Sequence, residues 1–153
     1  MKYTKTCPCC DHKISAYSYC LNGGLCKALS QLVGFYEHKR ARAKLSDLHL
    51  TNAQYSNFAH LAYFGLAHRD EDGWVPTAKG SDFVNEVGSC EDMVAVMSKE
   101  VLPIDHEAWK TSHERPRYVM FSDIICNTYK QRKAFQEEKG STNPQLFNPS
   151  TYA

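Results

Sequence analysis

The stretch from Lys44 to Gly88, KLSDLHLTNAQYSNFAHLAYFGLAHRDEDGWVPTAKGSDFVNEVG, constrains this chain more than any other, because nearly every position in it carries a local structural signal. Leu45 and Leu48 are spaced to face inward from a short helix. Thr51 stands where a helix N-cap belongs, and Tyr55, Phe58, Leu61, Ala62 and Leu66 then recur at helical spacing. Gly65 marks the end of that helix. Two short apolar–polar alternations, Leu66–Arg69 and Trp74–Thr77, flank an Asp-Gly turn, which is a strong hairpin signal. A further helix opens at Thr77 and carries Phe83, Val84 and Val87. Helix, turn, helix, hairpin is the order of a winged helix-turn-helix, in which the longer second helix is offered to a groove.

A chain of 153 residues is long enough for one self-sufficient core. Its net charge of +1 argues against a strongly nonspecific nucleic-acid binder, which carries a basic excess, but leaves room for a local basic patch. There is no apolar run of membrane-span length and no apolar N-terminal signal, so the expected location is a cytoplasm. Seven cysteines are many for such a compartment, and five of them fall within the first 26 residues. Clustering of that kind in a reducing environment points to metal before disulfides.

Cys7 and Cys10 form a C-x-x-C with Pro8 just after the first cysteine, the shape of a zinc knuckle. Cys20 and Cys26 complete the expected tetrahedral set, with His12 as the alternative to Cys26 and Cys9 left as a spare thiol. The expected cofactor is therefore a structural zinc, since four protein ligands leave no open position for catalysis. A redox dithiol would need a βαβ context that the sequence does not show.

Asn22 to Arg42 reads as a helix with Leu25, Leu29, Leu32, Val33 and Tyr36 on one face, weakened by Gly34. It runs into the densest basic cluster of the chain, which includes Lys39, Arg40, Arg42 and Lys44. These cations suit either the C-terminal end of a helix dipole or contact with phosphates. On the following helix Asn52, Gln54, Asn57 and His60 fall on the outer side, and Asn and Gln can pair with the adenine edge. Lys39, Arg40, Arg42, Lys44, Asn52, Gln54, Asn57 and His60 are thus the candidate nucleic-acid contacts. Two features oppose that assignment: the helix has no Lys or Arg, and the hairpin tip, Asp70-Glu71-Asp72, would repel phosphate.

Beyond the hairpin, Cys90 to Lys99 reads as a packing segment, Tyr118–Phe121 as a strand, and Asp123 to Lys139 as a last helix. His106, Glu107 and His113 are a weak candidate for metal or acid–base chemistry, because nothing fixes their spacing. No phosphate loop, no nucleophile with a base and no carboxylate pair at catalytic spacing is present, so no enzyme is expected.

The runs LTNAQYSNFAHLAYFGLA and GWVPTAKGSDFV resemble the core of small winged-helix proteins encoded by phages and prophages. In that family an L-T-x-x-x-Y-x-N-F-x-x-L-x-Y-F/W-G-L run precedes G-W-x-x-T-x-K-G-x-x-F. The similarity extends back through Tyr17–Leu25 to the first cysteine pair. The expectation is an α+β, mainly α fold: a winged helix-turn-helix core with an N-terminal zinc-binding knuckle and a C-terminal strand–helix extension. Its expected divisions are a knuckle-like segment 1–21, a winged-helix core 22–90, an extension packed on that core 91–139 and a flexible tail 140–153. The expected function is binding of duplex DNA in transcriptional or replicative control by a phage or mobile element. The alternative is a protein-binding module of the same fold that inhibits a host machine or defence complex, of the anti-CRISPR kind. Neither reading calls for a small-molecule substrate or a membrane.

Overall fold

In the computed structural model, which describes residues 3–110, 112 and 114–125, the longest described helix is α1, Gly23–Lys39. Asn22 caps it by accepting the Leu25 N–H at 2.9 Å. Arg40 ends it in the left-handed region at φ 52°, donating its N–H to the Tyr36 carbonyl. Leu25, Cys26, Leu29, Leu32 and Val33 make its buried face and line the core. Each such leucine contributes about 1.5–3 kcal/mol through burial.

The helical run expected from Thr51 to Leu66 is broken in two: α2, Asn52–Asn57, and α3, His60–Tyr63. A capping box starts α2. The Thr51 hydroxyl accepts the Gln54 N–H at 3.2 Å, and the Gln54 carboxamide accepts the Thr51 N–H at 2.9 Å. The break lies at Phe58 and Ala59, whose carbonyls accept from Leu61 and Ala62, three residues on. That tighter winding turns Phe58, Leu61 and Phe64 inward, and all three are buried. Phe58 meets Trp74 edge-on, with ring centres 5.0 Å apart.

The hairpin forms where expected. Its strands are β3, Ala67–Asp70, and β4, Gly73–Pro76, in register from Ala67 opposite Pro76 to Asp70 opposite Gly73. Gly73 sits in the strand rather than in the turn. Trp74 and Ala43 exchange both backbone hydrogen bonds, at 2.8 and 2.9 Å. That pairing brings the Ala43 carbonyl to 2.6 Å from where a Cβ on residue 73 would stand, at a φ of 136°.

Helix α4, Ala78–Val84, is locked onto the end of α3. The Thr77 hydroxyl donates to the Gly65 carbonyl at 2.6 Å and accepts the Gly80 N–H at 3.0 Å. The Thr77 N–H donates to the Leu66 carbonyl at 3.1 Å. Lys79 Nζ donates to the Phe64 carbonyl at 3.0 Å and reaches the Glu91 carboxylate at 2.9 and 3.2 Å. Three consecutive carbonyls at a helix end are thereby satisfied by one Thr-x-Lys turn. The approach is so close that a Cβ on residue 80 would lie 2.0 Å from the Leu66 oxygen.

The second half of the fold is a sheet. Strand β2, Lys13–Cys20, pairs through its first half with β1, Tyr3–Thr6, and through its second half with β6, Met93–Met97. Strand β7, Glu100–Val101, closes the order β1-β2-β6-β7, all antiparallel. Strand β5, Cys90–Glu91, pairs separately with β8, Tyr118–Val119. A short helix α5, Glu107–Lys110, buries Trp109, and residues 121–125 are helical. The remainder of the expected last helix and the 140–153 tail lie outside the described residues.

With 38% helix and 26% strand, the fold is mixed α+β and not the mainly α winged helix-turn-helix expected. Two physical causes stand out. The long second helix of that motif does not form, because the Phe58–Ala59 step tightens and leaves pieces of six and four residues. Val94, Ala95 and Val96 are all buried in a strand paired with β2, so the segment after the hairpin supplies a sheet. Among the described residues no helix is long and apolar enough to cross a membrane.

Two glycine substitutions separate these constraints. Gly80→Ala must move the Leu66 backbone and is expected to destabilise by about 2–4 kcal/mol in urea unfolding. Gly34→Ala, with nothing within 4 Å of its Cβ on α1, is expected to stabilise by about 0.5–1 kcal/mol. Equal effects of the two changes would contradict the tight contact at Leu66.

Candidate metal centre and adjoining surfaces

The turn between β1 and β2 carries Cys7, Pro8, Cys9 and Cys10. Pro8 fixes one φ just after Cys7. The Cys7 N–H donates to the His12 carbonyl at 2.8 Å, and the Asp11 N–H donates to the Cys7 carbonyl at 3.0 Å. Asp11 completes the reversal at φ 56°. This backbone brings the sulfurs of Cys7, Cys9 and Cys10 within 4.8 Å of one another. Cys7 Sγ and Cys9 Sγ are 3.0 Å apart.

Hydrogen bonding to the Cys7 sulfur, from the Cys9 thiol and N–H and then from the Cys10 thiol and N–H, pulls its pKa down to about 7. Cys9, as the partner that keeps its proton, is pushed up. If all three sulfurs bound a metal as thiolates, the Cys9 and Cys10 N–H groups would be the donors left to Cys7. The three residues could hold a metal ion.

The ligand set expected from spacing was Cys7, Cys10, Cys20 and Cys26. The structure brings Cys7 and Cys10 together with Cys9, and not with Cys20 or Cys26. Cys20 ends β2, seven residues beyond Lys13, or ~23 Å along a strand at roughly 3.3 Å per residue. Cys26 is fully buried in the core on α1, apart from the cluster, and burial pushes its thiol up to about 12. His12 adjoins the turn, but its ring does not join the cluster. The C-x-x-C rule missed Cys9. The signal was the Cys-Pro-Cys-Cys run, in which one tight turn brings the three sulfurs together.

The expected nucleic-acid contacts are scattered in their states. Lys39, Arg40 and Lys44 are exposed at or after the end of α1. Arg42 is paired with Asp70. That contact raises the guanidinium pKa, and Asp70 is held low first by the Asp72 N–H and then by Arg42. Asn52 and Asn57 are exposed on α2. Gln54 is occupied at both ends of its carboxamide: its oxygen caps Thr51, and its nitrogen donates to the Gly24 carbonyl at 3.0 Å. His60 packs 4.4 Å from the Tyr19 ring centre and 6.0 Å from that of Tyr63, and burial lowers its pKa.

A groove of about 540 Å³ lies between α2 and the hairpin. Its lining includes the apolar Leu45, Tyr55 and Trp74, the cations Lys44 and Arg69, and the acidic turn Asp70–Asp72. Tyr55, expected to face inward, is instead 58% exposed here. The weak constellation near His106 is spent on structure: His106 Nδ1 accepts the Ala108 N–H, and Glu107 accepts the Tyr3 hydroxyl. His113 lies outside the described residues.

Comparison with protein-family models, with curated proteins and with solved structures found no match, so no family assignment bears on this site.

The Cys7 environment makes a testable statement about pH. A depressed thiol pKa means that the reactive thiolate persists to lower pH. Alkylation of Cys7, followed by peptide mass spectrometry, is expected to rise through a midpoint of about 7. Cys26 and Cys90, both pushed up to about 12, should stay unmodified in the native protein at neutral pH. A Cys7 profile coinciding with that of Cys20 would contradict the hydrogen-bonded sulfur.

Proposed function

We propose that this chain is a non-catalytic, zinc-binding interaction module that receives a peptide segment of a partner protein in the groove between Tyr55 and the Asp70–Asp72 turn. Zinc is the ion that suits thiolates without redox chemistry, and it would fix the tip of the β1–β2 hairpin. The observation that carries the peptide reading is the lining of the groove. Tyr55, 58% exposed, offers aromatic surface in the same groove as Arg69, and both residue types are enriched at interface hot spots. An extended peptide carrying an apolar anchor flanked by both charge signs would complement it.

Duplex DNA is the second reading, favoured by the exposed Lys39, Arg40 and Lys44. Against it stand two side chains already committed within the chain, Gln54 to Gly24 and Arg42 to Asp70. A groove edge made of Asp70, Glu71 and Asp72 also repels phosphate.

Both readings meet one pair of measurements. A benzophenone side chain in place of Tyr55 is expected to cross-link a discrete host protein, in competition with excess unlabelled chain. Tyr55→Ala should then weaken that complex tenfold or more, about 1.4 kcal/mol. Anisotropy with duplex DNA across a salt series is expected to stay flat. Affinity falling steeply with salt would overturn the peptide reading in favour of DNA.

A further inference from the structure

The Cys7–Cys9–Cys10 turn presents three sulfurs, whereas zinc in a structural site takes four ligands. Among the described residues, no other His, Cys, Asp or Glu ligand atom joins that group. The two nearest candidates in sequence, Asp11 and His12, close the turn through their backbones and leave their side chains outside the cluster. Cys9 and Cys10 are exposed and Cys7 is half-buried, at the tip of a hairpin, so the open side of the cluster faces outward.

Resting on the metal-binding reading above, we propose that the turn is a three-thiolate site whose fourth coordination position is filled by a thiolate from outside the chain. The donor is a low-molecular-weight thiol or a bridging thiolate from the same Cys7–Cys9–Cys10 turn of a second copy. Each coordinating thiol gives its proton to water as it binds, and no oxidation or reduction is involved. An open, exposed site of this kind exchanges its fourth ligand readily, unlike a closed four-cysteine knuckle. Cys9 becomes an essential ligand rather than a spare thiol, and Cys20 and Cys26 play no part.

The test uses the full chain, reduced and loaded with cadmium as the reporting metal. Alkylation with peptide mass spectrometry should show Cys7, Cys9 and Cys10 protected by the metal, and Cys20 unaffected. Cys9→Ser should weaken cadmium binding at least tenfold, and Cys20→Ser should leave it unchanged. With dilute protein, adding 2-mercaptoethanol should raise the thiolate-to-cadmium absorption by about one third, as three sulfurs become four. If the donor is a second copy, concentrated protein without added thiol should sediment as a cadmium-dependent dimer, which the thiol dissolves. If the donor is a small thiol, the absorption rises and the chain stays monomeric throughout.

Metal-dependent protection of Cys20, Cys26 or Cys126, or tight binding by Cys9→Ser, would overturn the proposal while leaving metal binding intact. So would the absence of both the added absorption and the dimer. A chain that takes up no cadmium would remove the metal reading itself, and the open site with it.

Discussion

The fold depends on how the end of α3 is closed. Phe64, Gly65 and Leu66 leave three successive carbonyls without helical partners, next to a buried core. Thr77 and Lys79 answer all three from one short turn, and Gly80 lets the two backbones meet. Lys79 then carries the connection onward to Glu91 on β5. Helix end, hairpin, α4 and the second half of the chain are thus tied through a handful of polar contacts. Phe58, Phe64 and Phe83 are buried alongside them. Part of this arrangement is exposed, the Lys79 side chain being 39% accessible, so its charge pair counts for less than the carbonyl bonds.

The candidate sites sit at two ends of this framework. The cysteine turn projects from β2, whose first half is held by β1 and whose second half is held by β6. The pairing with β6 anchors the base of the hairpin and leaves its tip free. The groove lies between α2 and the hairpin, with the exposed Tyr55 of α2 and Trp74 of β4 among its lining residues.

What was legible in the sequence is what short-range chemistry decides. Thr51 caps a helix as expected, a helix begins at the expected place beside Asn22, Gly65 follows α3 at a positive φ, and the hairpin spans the Asp-Gly signal. What was not legible is long-range. Nothing in Tyr17–Cys20 says that its partner is Met93–Val96, and that pairing turned an expected mainly α chain into a mixed one. The helical spacing of Tyr55 and Phe58 was real, but it did not reveal the switch to tighter winding after Phe58. At the cysteine end, spacing found Cys7 and Cys10. It then drew in Cys20 and Cys26 by rule, whereas an extended β2 separates the first from the turn and the core encloses the second.

The closure of α3 is the claim on which the rest stands, and equilibrium unfolding of the Thr77→Val, Lys79→Met double variant tests it most directly. The account predicts a loss of about 2–4 kcal/mol, because the Phe64 and Gly65 carbonyls, the Gly80 N–H and the Glu91 carboxylate lose their side-chain partners together. A double variant within about 0.5 kcal/mol of the parent, the range of an ordinary surface change, would contradict it.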